Sequence, residues 1–212
     1  MTLVIAIDGP AGSGKGTVAK KISSSYNFPH LDSGILYRSV AFLCLKKGLQ
    51  GLEESKVLEL ANSLNLSKID LDKIRTKEID EISSKISSFV SVRESLKSFQ
   101  LNFKKKNANK KGIVIDGRDI TTVIFPDAEL KFYITATLKE RANRRFKEFL
   151  EHNREIEKKL IIKELQKRDQ RDIERSIAPL KVAKDAIVID TSNLTIDEVM
   201  DKVCFEIDRI LK

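Results

Sequence analysis

The chain has 212 residues, 41% hydrophobic and 33% charged, with 39 Lys+Arg against 31 Asp+Glu and a net charge of +8. That apolar content excludes disorder, and a chain this long builds one sizeable core, burying roughly 70% of its unfolded surface. Two distant cysteines, Cys44 and Cys204, exclude a disulfide framework or zinc cluster, and the first apolar run, Leu3 to Ile7, is too short for a signal peptide or membrane span.

The expectation is a cytoplasmic protein with two reduced, packed thiols. The surplus charge leaves three kinds of partner open: nucleic acid, an anionic membrane surface, or a small polyanionic substrate. No internal repeat and no Pro/Gly/Ser-rich linker divides the chain.

In chain order, short apolar runs predict strands at Leu3–Asp8, Pro29–Asp32, Gly112–Asp116, Glu129–Thr135 and Ala186–Asp190. Longer segments of helical period predict helices at about Lys15–Ser25, Gly34–Lys47, Glu53–Leu64, Thr76–Ser88, Ser91–Asn107, Leu138–Leu150, Arg154–Arg171 and Thr195–Leu211. Thr195 with Glu198 forms a capping box for the last of these. The alternation is that of an α/β protein with a parallel sheet. Three strands, ending at Asp8, Asp116 and Asp190, are nearly continuous Ile/Val runs closed by an acid and read as buried on both faces, with the polar residue at the carboxyl edge where such sheets place ligands. About 80 residues separate Asp32 from Gly112 and about 50 separate Thr135 from Ala186, too many for plain crossovers. One core with two helical, mobile attachments accounts for both.

The strongest chemical signal is Gly9-Pro10-Ala11-Gly12-Ser13-Gly14-Lys15-Gly16-Thr17, which follows a strand and opens a helix. Glycines let successive N–H groups converge on phosphate oxygens, the helix N-terminus adds partial positive charge, and Lys15 adds a full one. The hydroxyl that ordinarily follows the lysine is displaced by one, to Thr17, which is the candidate on the Mg²⁺ side. The bland alternative, a glycine turn with an incidental lysine, does not explain why strand, glycines, lysine and helix coincide. The Gly-Lys-Gly-Thr ending resembles that of nucleoside monophosphate kinases, and Asn109-Lys110 does not continue into a GTPase base-reading motif.

Two further clusters lie at predicted strand ends. In Leu31-Asp32-Ser33-Gly34-Ile35-Leu36-Tyr37-Arg38, Asp32 and Ser33 suit a helix cap and Arg38 suits either a phosphate contact or a solvated charge. In Asp116-Gly117-Arg118-Asp119, Asp116 suits a Mg²⁺-side or water-orienting carboxylate and Arg118 a bidentate phosphate clamp.

With these clusters, and with Arg168-Asp169-x-x-Asp172 running on to Arg175-Ser176-x-Ala178-Pro179-Leu180, the chain resembles the bacterial cytidylate kinases from about residue 2 to residue 210. The resemblance implies a P-loop NTPase three-layer fold: a central five-stranded parallel sheet, a helical NMP-binding insertion and a short lid. Read as a single kinase domain over 1–212, the core spans 1–36, 109–147 and 166–212, the insertion about 37–108 and the lid about 148–165. It implies transfer of the ATP γ-phosphoryl to CMP or dCMP with Mg²⁺. The site it implies has Lys15, Arg118 and Arg175 acting on the reaction and Gly9 through Thr17 on ATP. Ser84, Arg93 and Asp119 would read cytosine, Ser33 would line the acceptor site, and Arg38, Arg118 and Arg175 would hold the acceptor phosphate. Arg168 and Asp172 would hold the sugar, with Thr17, Asp32 and Asp116 on the metal side, directly or through water. Asp119 makes chemical sense there, since a carboxylate accepts from cytosine's exocyclic amine. Members of that family usually carry a strand-rich insert that is trimmed here to the short polar stretch Leu66 to Arg75.

From Lys139 through Arg175 the chain has 13 Lys/Arg and 9 Asp/Glu. Arg141, Arg144, Arg145, Arg168, Arg171 and Arg175 recur there at near-helical spacing and suit planar phosphate recognition in a closing lid. Ion pairs on exposed helices explain the remaining charges. The run Lys104-Lys105-Lys106 with Lys110-Lys111 has one interleaved aromatic, Phe103, and reads as a solvated helix end rather than a nucleic-acid platform. His30 has no acid at catalytic spacing and reads as a strand-packing residue; His152 reads as a surface residue. The resemblance therefore implies ATP and CMP or dCMP as partners, and the expectation is no nucleic acid, no membrane and a monomeric state. Two alternatives stay open, another small P-loop kinase acting on UMP or a different phosphorylated metabolite, and a nucleic-acid-associated ATPase.

Overall fold

The computed structural model describes residues 2–49, 52–151 and 157–212. The five apolar runs form strands β1 (Leu3–Asp8), β2 (His30–Asp32), β3 (Gly112–Gly117), β4 (Leu130–Thr135) and β5 (Ile187–Asp190). They make one parallel sheet in the order β2-β3-β1-β4-β5. β1 and β3 are buried at every position because they are central and covered on both faces, which is why they read as unbroken Ile/Val. β5 departs from the reading that it is buried on both faces. It lies at the sheet's edge, and Val188 is 54% exposed. β2 begins one residue after Pro29, which has no N–H for the ladder yet accepts from the Val114 amide at 2.9 Å.

Among the described residues eight α-helices follow the predicted order: α1 (Lys15–Tyr26), α2 (Ser33–Lys46), α3 (Glu54–Asn62), α4 (Lys77–Ile86), α5 (Val90–Lys106), α6 (Leu138–Glu151), α7 (Lys158–Glu174) and α8 (Ile196–Leu211). The Thr195–Glu198 capping box is present in both directions at the head of α8. A π-helical turn over Ile120–Ile124 has no counterpart in the sequence reading, because Ile-Thr-Thr-Val-Ile carries no helical period. The predicted start of α7 at Arg154, the centre of the expected lid and His152 lie outside the described residues.

The described chain forms two compact units, Met1–His30 with Asn109–Lys212, and Leu31–Ala108. In the first, α1 and α8 pack on the sheet through Val18, Ile22, Val199, Val203 and Ile207, which meet Ile5, Ile7, Phe132 and Ile134. In the same unit α6 and α7 share a small cluster of Ala142, Ile161 and Leu165 that includes Ala11 of the glycine loop. The second unit is helical and has its own core, with Leu36, Val40, Val57, Leu60, Ile86 and Leu96 among its buried residues. Between Leu66 and Arg75 it holds a single 3₁₀ turn, Leu66–Lys68, and no strand.

Candidate active site

The first unit carries the phosphate loop. β1 delivers the chain to Gly9, where any Cβ would stand 2.0 Å from the Ile134 carbonyl oxygen, so no other residue fits. Gly14 heads α1 in the left-handed region at φ 90° and has no side chain to cap it, leaving the first amides of α1 to a ligand. Thr17 is exposed on the first turn of that helix, and Lys15 opens it.

Turning amides inward points the loop's carbonyls outward, and two arginines hold them. Arg141 donates from Nη1 to Ala11 O at 3.1 Å and from Nε to Ala136 O at 3.0 Å, while its Nη1 lies 2.7 Å from the Asp169 carboxylate. Arg144 donates from Nη1 to Ser13 O and Thr191 Oγ1, and from Nη2 to Thr191 O. Arg141 and Arg144, expected to suit phosphate recognition in a closing lid, here hold loop and strand-end carbonyls together with Asp169, Glu140 and the Thr191 hydroxyl, and Arg141 is buried. A planar guanidinium with several fixed donors suits that task as well as it suits phosphate, and composition cannot tell the two apart.

Asp116 ends β3 with its Oδ1 2.8 Å from His30 Nε2. His30 thus has an acid partner after all. The strands that carry them are neighbours in the sheet, an adjacency invisible in a spacing of 86 residues. The other oxygen, Oδ2, lies 3.8 Å from where a Cβ on Gly16 would stand, against the turn that carries Thr17. Hard oxygen donors of this kind fit Mg²⁺, which is held by one or two carboxylates together with substrate phosphates. Among the described residues no cluster of three or more His, Cys, Asp or Glu forms a dedicated metal cage.

Arg118 and Asp172 meet across a 2.8 Å contact from Nε to Oδ2, with side chains 16% and 8% exposed. Burial opposes the charge on Arg118, but Asp172, then Asp116 and Asp8, outweigh it and hold the guanidinium above its ordinary pKa. Burial alone would also raise Asp172; Arg118, Arg168 and Arg175 overcome it and hold that carboxyl below the usual range. Arg168 lies one turn before Asp172 on α7, and Arg175 caps the helix with Nε donating to Ala178 O at 2.7 Å. The Arg175 Nη2 stands 3.7 Å from Asp119. Six of the expected residues, Asp116, Arg118, Asp119, Arg168, Asp172 and Arg175, therefore form one charged corner of this unit.

The second unit gathers the rest of the expected set. Asp32 caps α2 by accepting from the Gly34 amide at 2.8 Å, and Ser33 is buried behind it. Arg38 is held by Asp80 of α4, Nε to Oδ1 at 2.8 Å, and a Cβ on Gly34 would stand 3.1 Å from its Nη1. Ser84 Oγ is buried without a hydrogen-bond partner. Arg93, also buried, donates to Ser87 O, the Ser87 hydroxyl donates to Ser84 O, and the Arg93 guanidinium lies 5.9 Å over the Tyr37 ring. Sequence reading missed Asp80 and gave Asp169 no role beyond its place in a motif, since an acid on an amphipathic helix shows nothing of the arginine it faces.

A family model described as cytidylate kinase matches residues 5–209. The chain belongs to the cytidylate kinase family. It is 44% identical over 209 residues to a cytidylate kinase of Bartonella bacilliformis, covering 99% of this chain and 96% of that one. A cytidylate kinase of Caldicellulosiruptor bescii is 40% identical over 213 residues, covering 94% and 92%. One from Fusobacterium nucleatum is 38% identical over 218 residues, covering 98% of each chain. Among solved structures, TT1252 from Thermus thermophilus superposes with a TM-score of 0.57 at 17% identity, covering 100% of this chain and 98% of that one. An uncharacterized protein from Eubacterium ventriosum does so with 0.56 at 18%, covering 98% and 99%. These structures share the α/β fold. Among the described residues no helix is long and apolar enough to cross a membrane.

Proposed function

We propose that this cytidylate kinase family member transfers the γ-phosphoryl of ATP to CMP or dCMP. The observation that carries the reading is the family match over residues 5–209, which spans both the uncapped loop and the arginine-rich corner. The loop amides from Gly9 to Thr17 and Lys15 hold the donor phosphates. Arg118 and Arg175 in the first unit and Arg38 in the second bind the acceptor phosphate, with Arg168 and Asp172 on the sugar. Asp119, Arg93 and the unpartnered Ser84 hydroxyl read the base, and Ser33 lines the acceptor site.

Phosphoryl transfer asks little covalent chemistry of a protein, so positioning and charge neutralisation carry the rate. The acceptor oxygen is already an anion near neutral pH, and no general base is required. Thr17, Asp32 and Asp116 would hold Mg²⁺, directly or through water, and it would supply neutralisation of the donor phosphates. The segment from about 148 to 165 acts as a lid that excludes water.

The test is ADP release measured with CMP, dCMP, UMP, AMP, GMP and single-stranded RNA as separate additions. Stimulation by CMP or dCMP above the other nucleotides is expected. Preference for UMP or AMP overturns the cytosine assignment, and stimulation by RNA alone overturns the kinase reading. Arg118→Ala is expected to suppress transfer while ATP binding is retained.

A further inference from the structure

β1 ends on a carboxylate with no exposed atom: Asp8 is 0% exposed. Its Oδ1 accepts the Ile120 amide at 2.9 Å, and its Oδ2 accepts the Thr121 amide at 2.8 Å and the Thr121 hydroxyl at 2.6 Å. Ile120 and Thr121 open the π-helical turn, and the Thr121 amide, two residues past Asp119, is one that the residue at the head of a turn ordinarily satisfies with its own side chain. That residue is Asp119, and its side chain makes no capping bond. Its carboxylate faces Arg175 instead. The turn is capped from another strand, by a residue 112 positions away from Ile120.

Aspartate is among the strongest self-capping residues, because its short side chain reaches the amides just ahead of it. Any vacancy at those amides therefore competes for the Asp119 carboxylate. We propose that Asp8 is a positioning residue for base selection: by capping the Ile120–Ile124 turn in place of Asp119, it keeps the Asp119 carboxylate directed at Arg175 and the acceptor base. The proposal rests on the reading of Asp119 as the contact for cytosine's exocyclic amine. UMP carries a carbonyl oxygen there, which an acceptor-only carboxylate repels, so the direction of Asp119 sets discrimination between the two bases. Burial pushes Asp8 up to about 6, against the pull of its bonds from Thr121 and Ile120. Near neutral pH it is ionised and offers acceptors alone, as both amides and the hydroxyl require.

In Asp8→Asn one oxygen becomes an NH₂ group, which cannot accept, and an amide or hydroxyl of the turn loses its partner. The experiment measures kcat/KM for CMP and UMP at saturating ATP, together with KM for ATP, in wild type, D8N, D119N, the double variant, T121V and T121S. D8N is expected to lower the CMP/UMP ratio about tenfold or more, with KM for ATP changed by less than about threefold. The double variant is expected to match D119N, since both act through one carboxylate. T121V should shift the ratio in the same direction by less, and T121S, which keeps the hydroxyl, should leave it unchanged. A folded D8N with the wild-type ratio overturns the proposal, as does equal loss for both bases. If D8N does not fold, an unchanged ratio in T121V overturns it. A wild type that does not prefer CMP, or a D119N variant with unchanged ratio, overturns the reading of Asp119 and the proposal with it. Wild-type preference for CMP, combined with an unchanged ratio in D8N, overturns the proposal alone.

Discussion

Replacing Asp172 with alanine removes one partner of a charge pair whose two side chains are 16% and 8% exposed and meet at 2.8 Å. The cost is set less by the lost bond than by what remains, a buried Arg118 guanidinium beside Arg168 and Arg175 with its main counter-charge gone. Breaking a buried pair in this way costs about 3–5 kcal/mol. For a chain of this size, a loss of about 3 kcal/mol lowers Tm by roughly 6–12 °C. Removing both charges with apolar residues of similar volume, Arg118→Met with Asp172→Leu, is expected to be close to neutral, so a double-mutant cycle should return a coupling of about 2 kcal/mol or more. Urea unfolding at neutral pH is the assay. The pH dependence has a definite sign: the Asp172 pKa is depressed from 3.8, so its contribution is present above that value and lost as pH falls through the lower folded-state value. The difference between wild type and Asp172→Ala should therefore persist from neutral pH down to about 4 and shrink below it. A single-variant loss under about 1 kcal/mol, or a double variant as unstable as the sum of the singles, would refute the reasoning.

The Asp8 carboxyl, raised to about 6 from 3.8, predicts the opposite trend. Its charged form is the one the fold disfavours, so wild type should gain about 1 kcal/mol relative to Asp8→Asn between pH 7 and pH 5, read by urea unfolding at each pH. Gly9→Ala would drive a Cβ into the Ile134 carbonyl, and is expected to abolish ATP binding in equilibrium dialysis or to prevent soluble expression. Arg38→Lys keeps a charge but loses the planar fork and the Nε contact to Asp80; KM for CMP should rise about tenfold in steady-state kinetics while KM for ATP stays within about threefold.

The sheet was legible because five apolar runs end in turn or acidic residues, and a strand buried on both faces cannot hide among alternating ones. The phosphate loop was legible because its chemistry is local: strand, glycines, lysine and helix sit side by side in the chain. What escaped were pairings that exist only through topology. His30 meets Asp116 because β2 and β3 are neighbours, and Asp8 caps a turn that begins on the far side of β3. Nor does an apolar run reveal its rank in a sheet, so Val188 at the edge reads like Val114 at the centre. Arg141 and Arg144 show the converse difficulty, since a guanidinium that grips a carbonyl and one that grips a phosphate are the same letters at the same spacing.

Three arginines share a tether. Arg38 is bonded through Nε to Asp80, Arg118 to Asp172 and Arg175 to the Ala178 carbonyl. A guanidinium fastened at its inner nitrogen can no longer sweep through its rotamers, and its outer edge is aimed before any substrate arrives. Immobilising a long side chain costs about 0.5–1.5 kcal/mol, and here that ordering happens once, when the chain folds, instead of at every binding event. Lengthening or deleting one of those tethers should leave the charge in place yet slow its capture of phosphate, turning a fixed claw into a loose hook. On the proposed reading, Asp80 and the Ala178 carbonyl would then govern turnover without touching a nucleotide, whereas Asp172 would both hold Arg118 and meet the sugar.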